Sequence, residues 1–336
     1  MDKKMDKKIA QIVRYAGILS KIEPTEKSFY LDMLKGTKIT TPASTIIYDA
    51  YVSKYVRAQL IGNDDKTKGN YAGREGFNRF KVTPGKIREY YQLTADEAAY
   101  IKAGELAYFN GVERKAEESI YTNVATYLKN AIISRMDLST AELLSDGEYF
   151  ADTGEKISFD IPVVKTKKKN DISDFKSFLR LMKEEINIYK RTSLDTPDRI
   201  LIGEDIVNDL IDDEIFRDQV QKLGLGNIMI DDKYVAVAKV FNYLLLESEP
   251  IVGMDGVDID IAKGNRMTLL STKRLHIAHA GVDVLDSTGM PKKIAAEYIM
   301  RNDSDVLNAT ALFVGESAFT PIISNPKSVV RIDITK

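Results

Sequence analysis

Histidine and cysteine, the side chains that most often carry nucleophilic, acid–base and metal chemistry, are nearly absent from this sequence. Its 336 residues include no cysteine and only two histidines, His276 and His279. A chain without cysteine has no disulfide, no thiolate zinc site and no cysteine nucleophile. The two histidines lie three residues apart in an alternating segment, so they should point to opposite faces of a strand rather than share a metal ion. We expect ordinary packing or surface roles for both.

Other motifs that could support chemistry are incomplete. Asp255, Asp258 and Asp260 could attract calcium, but the EF-hand spacing and its distal glutamate are missing, which favours a turn that enters a strand. Gly224 and Gly226 lack the third glycine of a dinucleotide-binding loop, and no phosphate-binding loop or serine nucleophile elbow occurs. A catalytic carboxylate pair stays open, since 50 acidic residues always allow some pair. We expect no cofactor, no metal site and no enzymatic activity.

Neither the net charge nor the hydropathy of the sequence indicates a polyanion or a membrane as a partner. The 48 basic and 50 acidic residues give a net charge of −2, so any contact with nucleic acid would have to be local. No apolar run reaches the ~18 residues of a membrane span, and the N-terminus is not a convincing signal peptide. We expect a protein made in the cytosol with no membrane partner, and about two domains at roughly 150 residues each.

The segment from Gly62 to Arg88 is basic, rich in glycine and poor in core residues. It contains seven basic and three acidic residues, which gives a local net charge of +4. Segments of this kind are uncommon in compact domains and are either flexible surface loops or functional elements. The candidate contacts that it offers to another subunit are Arg74, Arg79, Lys81, Lys86 and Arg88.

A long helix should follow this loop. The capping box Thr94–Glu97 begins a helix, and an apolar stripe from Ile120 to Met136 predicts a helix over 113–135, about 34 Å long at 1.5 Å per residue. A second capping box, Ser139–Glu142, predicts a separate short helix. The glutamates that could form an acidic track for the basic loop of a neighbouring subunit are Glu105, Glu113, Glu117 and Glu118.

The remaining segments alternate strand and helix. Ile157–Val163 reads as a strand, and Lys165–Lys169 as a solvated linker, with a polyanion contact as the alternative. Residues 171–295 read as an α/β block that contains a helix over 175–186 and a buried strand at Arg199–Gly203. The alternating tail around Val330–Ile334 should be a strand in the same sheet as Ile157–Val163, with the α/β block inserted between them.

Residues 1–40 carry short apolar patches that are too small to hold a core, and they read as an arm. The pattern from Ile46 to Leu60 mixes strand and helix periods and leaves both open. The arm and the basic loop would therefore gain burial only on neighbouring subunits, as closed rings require.

Several segments, taken in order, resemble the lambda major head protein family (capsid protein E), whose members have the Hong Kong 97-like capsid fold. They are Pro84–Glu89 before the helix, Leu143–Tyr149 at its end, Phe159-Asp160, Pro197–Gly203 and Asn302–Asp305. The resemblance covers the chain from about Gly62 to the C-terminus. It implies an α+β fold with an N-arm, an extended β-hairpin loop, a peripheral domain with a long spine helix and an α/β axial domain. The implied bounds are 1–45 for the arm, 46–95 for the loop, 96–165 and 296–336 for the peripheral domain, and 166–295 for the axial domain.

The resemblance also implies a function and partners. The chain would be a major capsid protein that self-assembles as hexamers and pentamers into an icosahedral shell around the double-stranded DNA of a tailed phage, prophage or phage-derived particle. A separate scaffolding protein and a portal are implied partners, packaged DNA would face the inside, and a decoration protein stays open. The location would be the virion, and the host cytoplasm during assembly. The alternatives are an encapsulin-like nanocompartment shell and a soluble α/β metabolic enzyme with a carboxylate site in 171–295.

Overall fold

The computed structural model describes residues 28–51, 77–96, 113–150, 156–168, 174–223, 228–230, 234–236, 238–240, 243–248, 251–252, 258–259, 264–285, 290–305 and 310–335. Within these ranges the main helices are α1 (Glu113–Asp146), α2 (Phe175–Ser193), α3 (Glu204–Asp212) and α4 (Glu214–Leu223). Short 3-10 turns occupy Leu31–Met33, Thr272–Arg274 and Pro326–Ser328.

The strands, in chain order, are β1 (Lys38–Thr40), β2 (Ile46–Tyr51), β3 (Phe77–Val82), β4 (Ile87–Leu93), β5 (Glu148–Phe150), β6 (Lys156–Ser158), β7 (Lys165–Lys168), β8 (Arg199–Ile202), β9 (Ile228–Ile230), β10 (Tyr234–Ala236), β11 (Ala238–Val240), β12 (Tyr243–Glu247), β13 (Ile251–Val252), β14 (Asp258–Ile259), β15 (Arg266–Leu270), β16 (Leu275–His279), β17 (Gly281–Leu285), β18 (Pro291–Ala295), β19 (Ile299–Asp305), β20 (Thr310–Ser317), β21 (Phe319–Ile323) and β22 (Val329–Thr335).

A six-stranded sheet with the order β11-β12-β8-β15-β22-β7 organises the α/β part of the molecule. β12 and β8 are parallel, as are β22 and β7, while β15 is antiparallel to both β8 and β22. Helices α2, α3 and α4 bury their apolar residues in one cluster with this sheet. The predicted helix over 175–186 and the predicted strand at Arg199–Gly203 are therefore confirmed as α2 and β8.

Ile157–Val163 and the tail strand were predicted to belong to one sheet, and they do not. Within Ile157–Val163 only β6 is extended, and it forms a hairpin with β5. The strand beside the tail strand β22 is β7, which was predicted to be a solvated linker. Lys165 and Lys167 point inward and form ion pairs with the buried carboxylate of Glu185 on α2, which gives this lysine run a place in the sheet.

Helix α1 is longer than predicted and runs without interruption through the second capping box. The hydroxyl of Thr140 donates to the carbonyl of Met136 at 2.8 Å, one turn earlier in the same helix. A threonine that bonds back in this way lies inside a helix and does not cap a new one. The C-terminal half of α1 is buried on nearly every side, so the interior packing of the molecule overrides the local capping signal.

Two arginines fix the C-terminal end of α1. The guanidinium groups of Arg266 and Arg331 both donate to the carbonyl oxygen of Ser145, each at 2.7 Å. Cations are favourable there because the last carbonyls of a helix carry partial negative charge. Arg266 also forms a bidentate pair with Asp333, with contacts of 2.6 and 3.0 Å. The long helix is thereby attached to β15 and β22 of the six-stranded sheet.

The described part of the N-terminal arm packs against its own chain. Phe29, Tyr30, Met33 and Leu34 belong to the largest hydrophobic cluster. β1 pairs in parallel with β16, and β16 pairs with β21. The expectation that the arm gains burial only on neighbours is therefore wrong for residues 28–45, because they pack and pair with the body of the same chain.

The two histidines have different neighbours, in line with the packing roles expected for them. Nδ1 of His276 accepts a hydrogen bond from the N–H of Thr37 at 2.8 Å. His279 is buried, and its ring lies 5.7 Å from that of Phe319 and near Tyr298. Burial lowers the pKa of His279 to about 4, which leaves it neutral at physiological pH.

Some sequence-based expectations concern segments outside the described residues. These are the apolar patches of residues 1–27, the loop 52–76, the helix after residue 96, the Gly224–Gly226 segment, and Asp255 and Asp260.

Candidate assembly surface

The segment that begins at Ile46, for which the sequence left strand and helix open, starts with one strand of a β-hairpin. β2 and β3 pair antiparallel, from Ile46 opposite Val82 to Tyr51 opposite Phe77. Because side chains alternate along a strand, this register defines two faces. Ile46 is buried, and the ring of Tyr48 lies 6.1 Å from that of Phe159, so this face packs on the body of the chain.

The opposite face of the hairpin is open. Ile47 is 62% exposed, and its partner across the hairpin is the exposed Lys81. Arg79, two residues before Lys81 on β3, also has an exposed side chain, and its backbone register partner is Asp49. An exposed isoleucine beside charged residues on an outward strand face is the composition expected of a contact surface rather than of a core.

Lys86 is held by its own chain where the hairpin joins β4. Its ammonium group forms an ion pair with Asp283 on β17, and Asp283 also accepts a hydrogen bond from Lys293 on β18 at 2.7 Å. These two cations lower the pKa of Asp283 to about 2. The segment that leaves the hairpin is thus attached to the β17–β18 pair.

Arg88 is held in a similar way. Its Nε and Nη2 donate to the two carboxylate oxygens of Glu316 at 3.3 and 3.1 Å. The Glu316 side chain is only 2% exposed, and Nη1 of Arg301 lies 3.4 Å from its Oε2. The hydrogen bonds that Arg88 donates to Glu316 and Tyr90 raise the pKa of Arg88. Arg88 therefore positions β4, and any contact that it makes with a neighbour has to leave this pair intact.

The three-stranded sheet β19-β20-β4 carries this anchor and also supports the long helix. Arg88 and Glu316 lie directly opposite each other in the β4–β20 register. The neighbouring Gly315 allows a close approach to α1, since a Cβ at this position would lie 3.1 Å from Cβ of Leu128 and 3.2 Å from Cδ1 of Ile132. The hairpin base, the sheet and the helix form one connected unit.

The structure brings together only some of the residues that were predicted from the sequence to contact a neighbouring subunit. Arg79 and Lys81 lie on the open hairpin face, while Lys86 and Arg88 lie at its base. Arg74 and Glu105 fall outside the described residues, and Glu113, Glu117 and Glu118 lie in the first two turns of α1.

The sequence reasoning missed the carboxylates that hold the hairpin base, Asp283 and Glu316. Glu316 could have been noticed, because it is the single charged residue in the mostly apolar run from Phe313 to Phe319. A buried charge in such a run normally has a paired partner. Asp283 gave no comparable signal.

No helix within the described ranges combines the length and the apolar character needed to cross a membrane. The same residues contain no cluster of three or more His, Asp or Glu side chains placed to hold a metal ion.

No protein-family model and no curated protein matches this sequence. Solved structures do match. A structure assigned as a prophage capsid protein of Escherichia coli CFT073 aligns with a TM-score of 0.60 at 13% identity, covering 97% of this chain and 98% of that chain. A phage-related protein from Bordetella bronchiseptica RB50 aligns with a TM-score of 0.53 at 8% identity, covering 95% of this chain and 94% of that one.

At such low identity the matches establish the fold. The chain has the α+β Hong Kong 97-like capsid fold, as the sequence predicted. The Escherichia coli neighbour is described as a capsid protein and the Bordetella neighbour as a phage-related protein. Membership of the lambda major head protein family in particular stays a prediction.

Proposed function

We propose that this chain is the major capsid protein of a tailed phage, prophage or phage-derived particle, and that it assembles as hexamers and pentamers into an icosahedral shell around double-stranded DNA. The observation that carries the proposal is the capsid fold together with a hairpin whose outward face leaves Ile47 exposed. Membership of the lambda major head protein family belongs to this proposal.

We retain in this proposal the domain division and the partner proteins that the sequence resemblance implies. Residues 166–295 would line the centres of hexamers and pentamers, and residues 96–165 and 296–336 would form the periphery. A separate scaffolding protein and a portal would act during assembly in the host cytoplasm, and the mature shell would be part of the virion.

In this proposal the hairpin is the element that reaches a neighbouring subunit. Arg74, Arg79 and Lys81 would dock on a neighbour's acidic surface, for which the α1 glutamates are the sequence-based acceptors. Exposed ion pairs contribute only about 0–1 kcal/mol each, so the arginines would set register while apolar burial supplies most of the affinity. Repetition over many identical contacts would still bias assembly.

Sedimentation of the purified protein, with and without a scaffolding protein, tests the proposal. Shells sediment as megadalton particles, and reversing Arg79 and Lys81 to Glu should reduce them or shift their salt dependence. Charge reversal at Glu117 and Glu118 should partly restore them if these glutamates are the acceptors. Particles that form without a scaffold and enclose protein instead of DNA would favour an encapsulin-like shell, whereas monomers under all conditions would favour an enzyme.

A further inference from the structure

Helix α2 presents a basic face to solvent. Its apolar residues, including Phe178, Met182 and Ile186, are buried in the cluster with the six-stranded sheet, which turns the charged positions outward. Glu184 is the single exposed carboxylate of this helix, since Glu185 is buried against β7. The exposed cationic residues of α2 are Lys176, Arg180, Lys183, Lys190 and Arg191.

The next two helices present the opposite charge. Residues 204–223 contain seven carboxylates, with Arg217 and Lys222 as the only cationic residues. Two isoleucines lie exposed among the acidic residues, Ile211 at 48% and Ile215 at 43%. We call this the acidic surface; its exposed carboxylates are Glu204, Asp205, Asp209, Asp212, Glu214 and Asp218, while Asp213 is half-buried.

The helices that carry the two surfaces are joined at Asp213. Asp213 accepts hydrogen bonds from the N–H of Phe175 and of Phe216, both at 2.9 Å, so it joins the start of α2 to the start of α4. The rings of these two phenylalanines are 5.1 Å apart. From this point α2 extends through 19 residues, about 28 Å at 1.5 Å per residue. Lys190 and Arg191, in the last turn of α2, therefore lie at the opposite end of this helix from the contact at Asp213.

We propose that the basic face of α2 in one copy of this chain binds the acidic surface of α3 and α4 in a second copy. The charges are complementary, and the aliphatic stems of arginine and lysine can cover exposed isoleucines while their charged ends pair with carboxylates. Two acidic surfaces would repel each other, so self-pairing of the same patch is disfavoured. A contact between two different surfaces of one chain is heterologous and forms a ring when its rotation closes.

The inference rests on the proposed shell function and names the contact that would close its hexamers and pentamers. Charge reversal tests it with two double variants of exposed residues, Arg180→Glu with Lys183→Glu and Asp212→Lys with Glu214→Lys. Each alone should lower the assembled fraction by about tenfold or more, because like charges then face each other. All four substitutions in one chain should restore assembly. Lys273→Glu with Lys327→Glu, two exposed lysines of other segments, controls for net charge.

Mixing the two double variants gives a sharper result. Each variant can pair only with the other, so the mixture should form rings with an even number of subunits. Hexameric rings should return, whereas five-membered rings, which cannot alternate, should stay absent from electron micrographs. Circular dichroism and thermal unfolding of each unassembled variant should match those of the wild-type subunit.

A thiol crosslink tests the contact directly, because the chain has no cysteine of its own. Arg180→Cys and Ile215→Cys chains, mixed before assembly and oxidised, should yield disulfide-linked dimers on non-reducing gels. Ile215→Cys mixed with Met290→Cys, which replaces a residue that is 64% exposed, should not.

Shells that form normally from both charge variants and give no Arg180–Ile215 crosslink would overturn the inference and leave the shell function intact. Normal shells that lose only their DNA when α2 is reversed would instead assign the basic face to packaged DNA. Wild-type protein that never assembles would overturn the shell function and this inference together.

Discussion

The carbonyl oxygen of Pro42 lies 2.1 Å from the position that a Cβ on Gly281 would occupy. The N–H of Gly281 donates to the carbonyl of Ala43 at 2.9 Å, so the backbone of the N-terminal segment lies directly on β17. Glycine is required here by this close approach of two backbones and not by an unusual backbone conformation. The contact makes the packing of the arm on its own chain testable in the unassembled subunit.

Gly281→Ala should destabilise the unassembled subunit by about 2 kcal/mol or more, because a methyl group cannot share space with a backbone carbonyl. Urea unfolding followed by circular dichroism measures the change in the free energy of unfolding. Ser44→Ala, at an exposed position of the same segment, should change it by no more than about 0.5 kcal/mol. An unchanged Gly281→Ala subunit would mean that this segment does not pack on its own chain.

Glu316→Gln should destabilise the subunit by about 1–3 kcal/mol, because Arg88 and Arg301 both lose a charged acceptor that is buried. Arg88→Met should cost less, since Arg301 still pairs with the carboxylate. A double-mutant cycle with Arg88→Met and Glu316→Gln should give a coupling energy of about 0.5–3 kcal/mol. Strictly additive effects of the two substitutions would show that the pair does not anchor β4.

The buried histidine predicts a loss of stability as the pH falls. The pKa of His279 is about 4 in the folded chain and about 6.5 in the unfolded one, so between these values the unfolded state binds the extra proton. The free energy of unfolding should therefore decrease as the pH falls from 6.5 to 4. Two charged groups also act on the pKa of this ring: the carboxylate of Glu297 raises it and the ammonium group of Lys38 lowers it.

Urea unfolding at several pH values measures this effect. His279→Gln should reduce the pH dependence between 4.5 and 6.5 by about one proton, up to about 3 kcal/mol over the full interval. His276→Gln, at a less buried histidine, serves as the matched control and should change the slope less. Equal slopes in wild type and His279→Gln would contradict the burial of a neutral histidine.

Removal of residues 62–74, with a short glycine-serine link in their place, should leave the subunit folded and abolish shell formation. The deletion spares β2 and β3, so the hairpin root and its packing on Phe159 remain. Circular dichroism and sedimentation together measure the two outcomes. Global unfolding of this variant would place the loop within the core of its own chain.

Strong periodicity made some elements predictable from the sequence. The apolar stripe of α2 from Phe175 to Ile186 and the short apolar run at Ile200 specify their structures locally. The stripe packs on the six-stranded sheet, and β8 is a strand of that sheet with both faces buried. The order of these and other segments was also enough to indicate the capsid fold.

Tertiary contacts explain why the sequence-based predictions were wrong for other elements. Thr140 carries a helix-start signal, but the surrounding core keeps α1 continuous through it. From the sequence alone, Lys165 and Lys167 were predicted to lie in a solvated linker. In the structure both form ion pairs with the buried Glu185. The roles of Lys86 and Arg88 depend on carboxylates about 200 residues away along the chain, which no local pattern reveals.

Electron microscopy of the purified full-length protein, with a scaffolding protein supplied, tests the central claim most directly. The shell proposal predicts closed particles of uniform size, built from hexameric and pentameric units with the hairpin of each subunit against a neighbour. A field of monomers or dimers at every concentration and salt condition would contradict it.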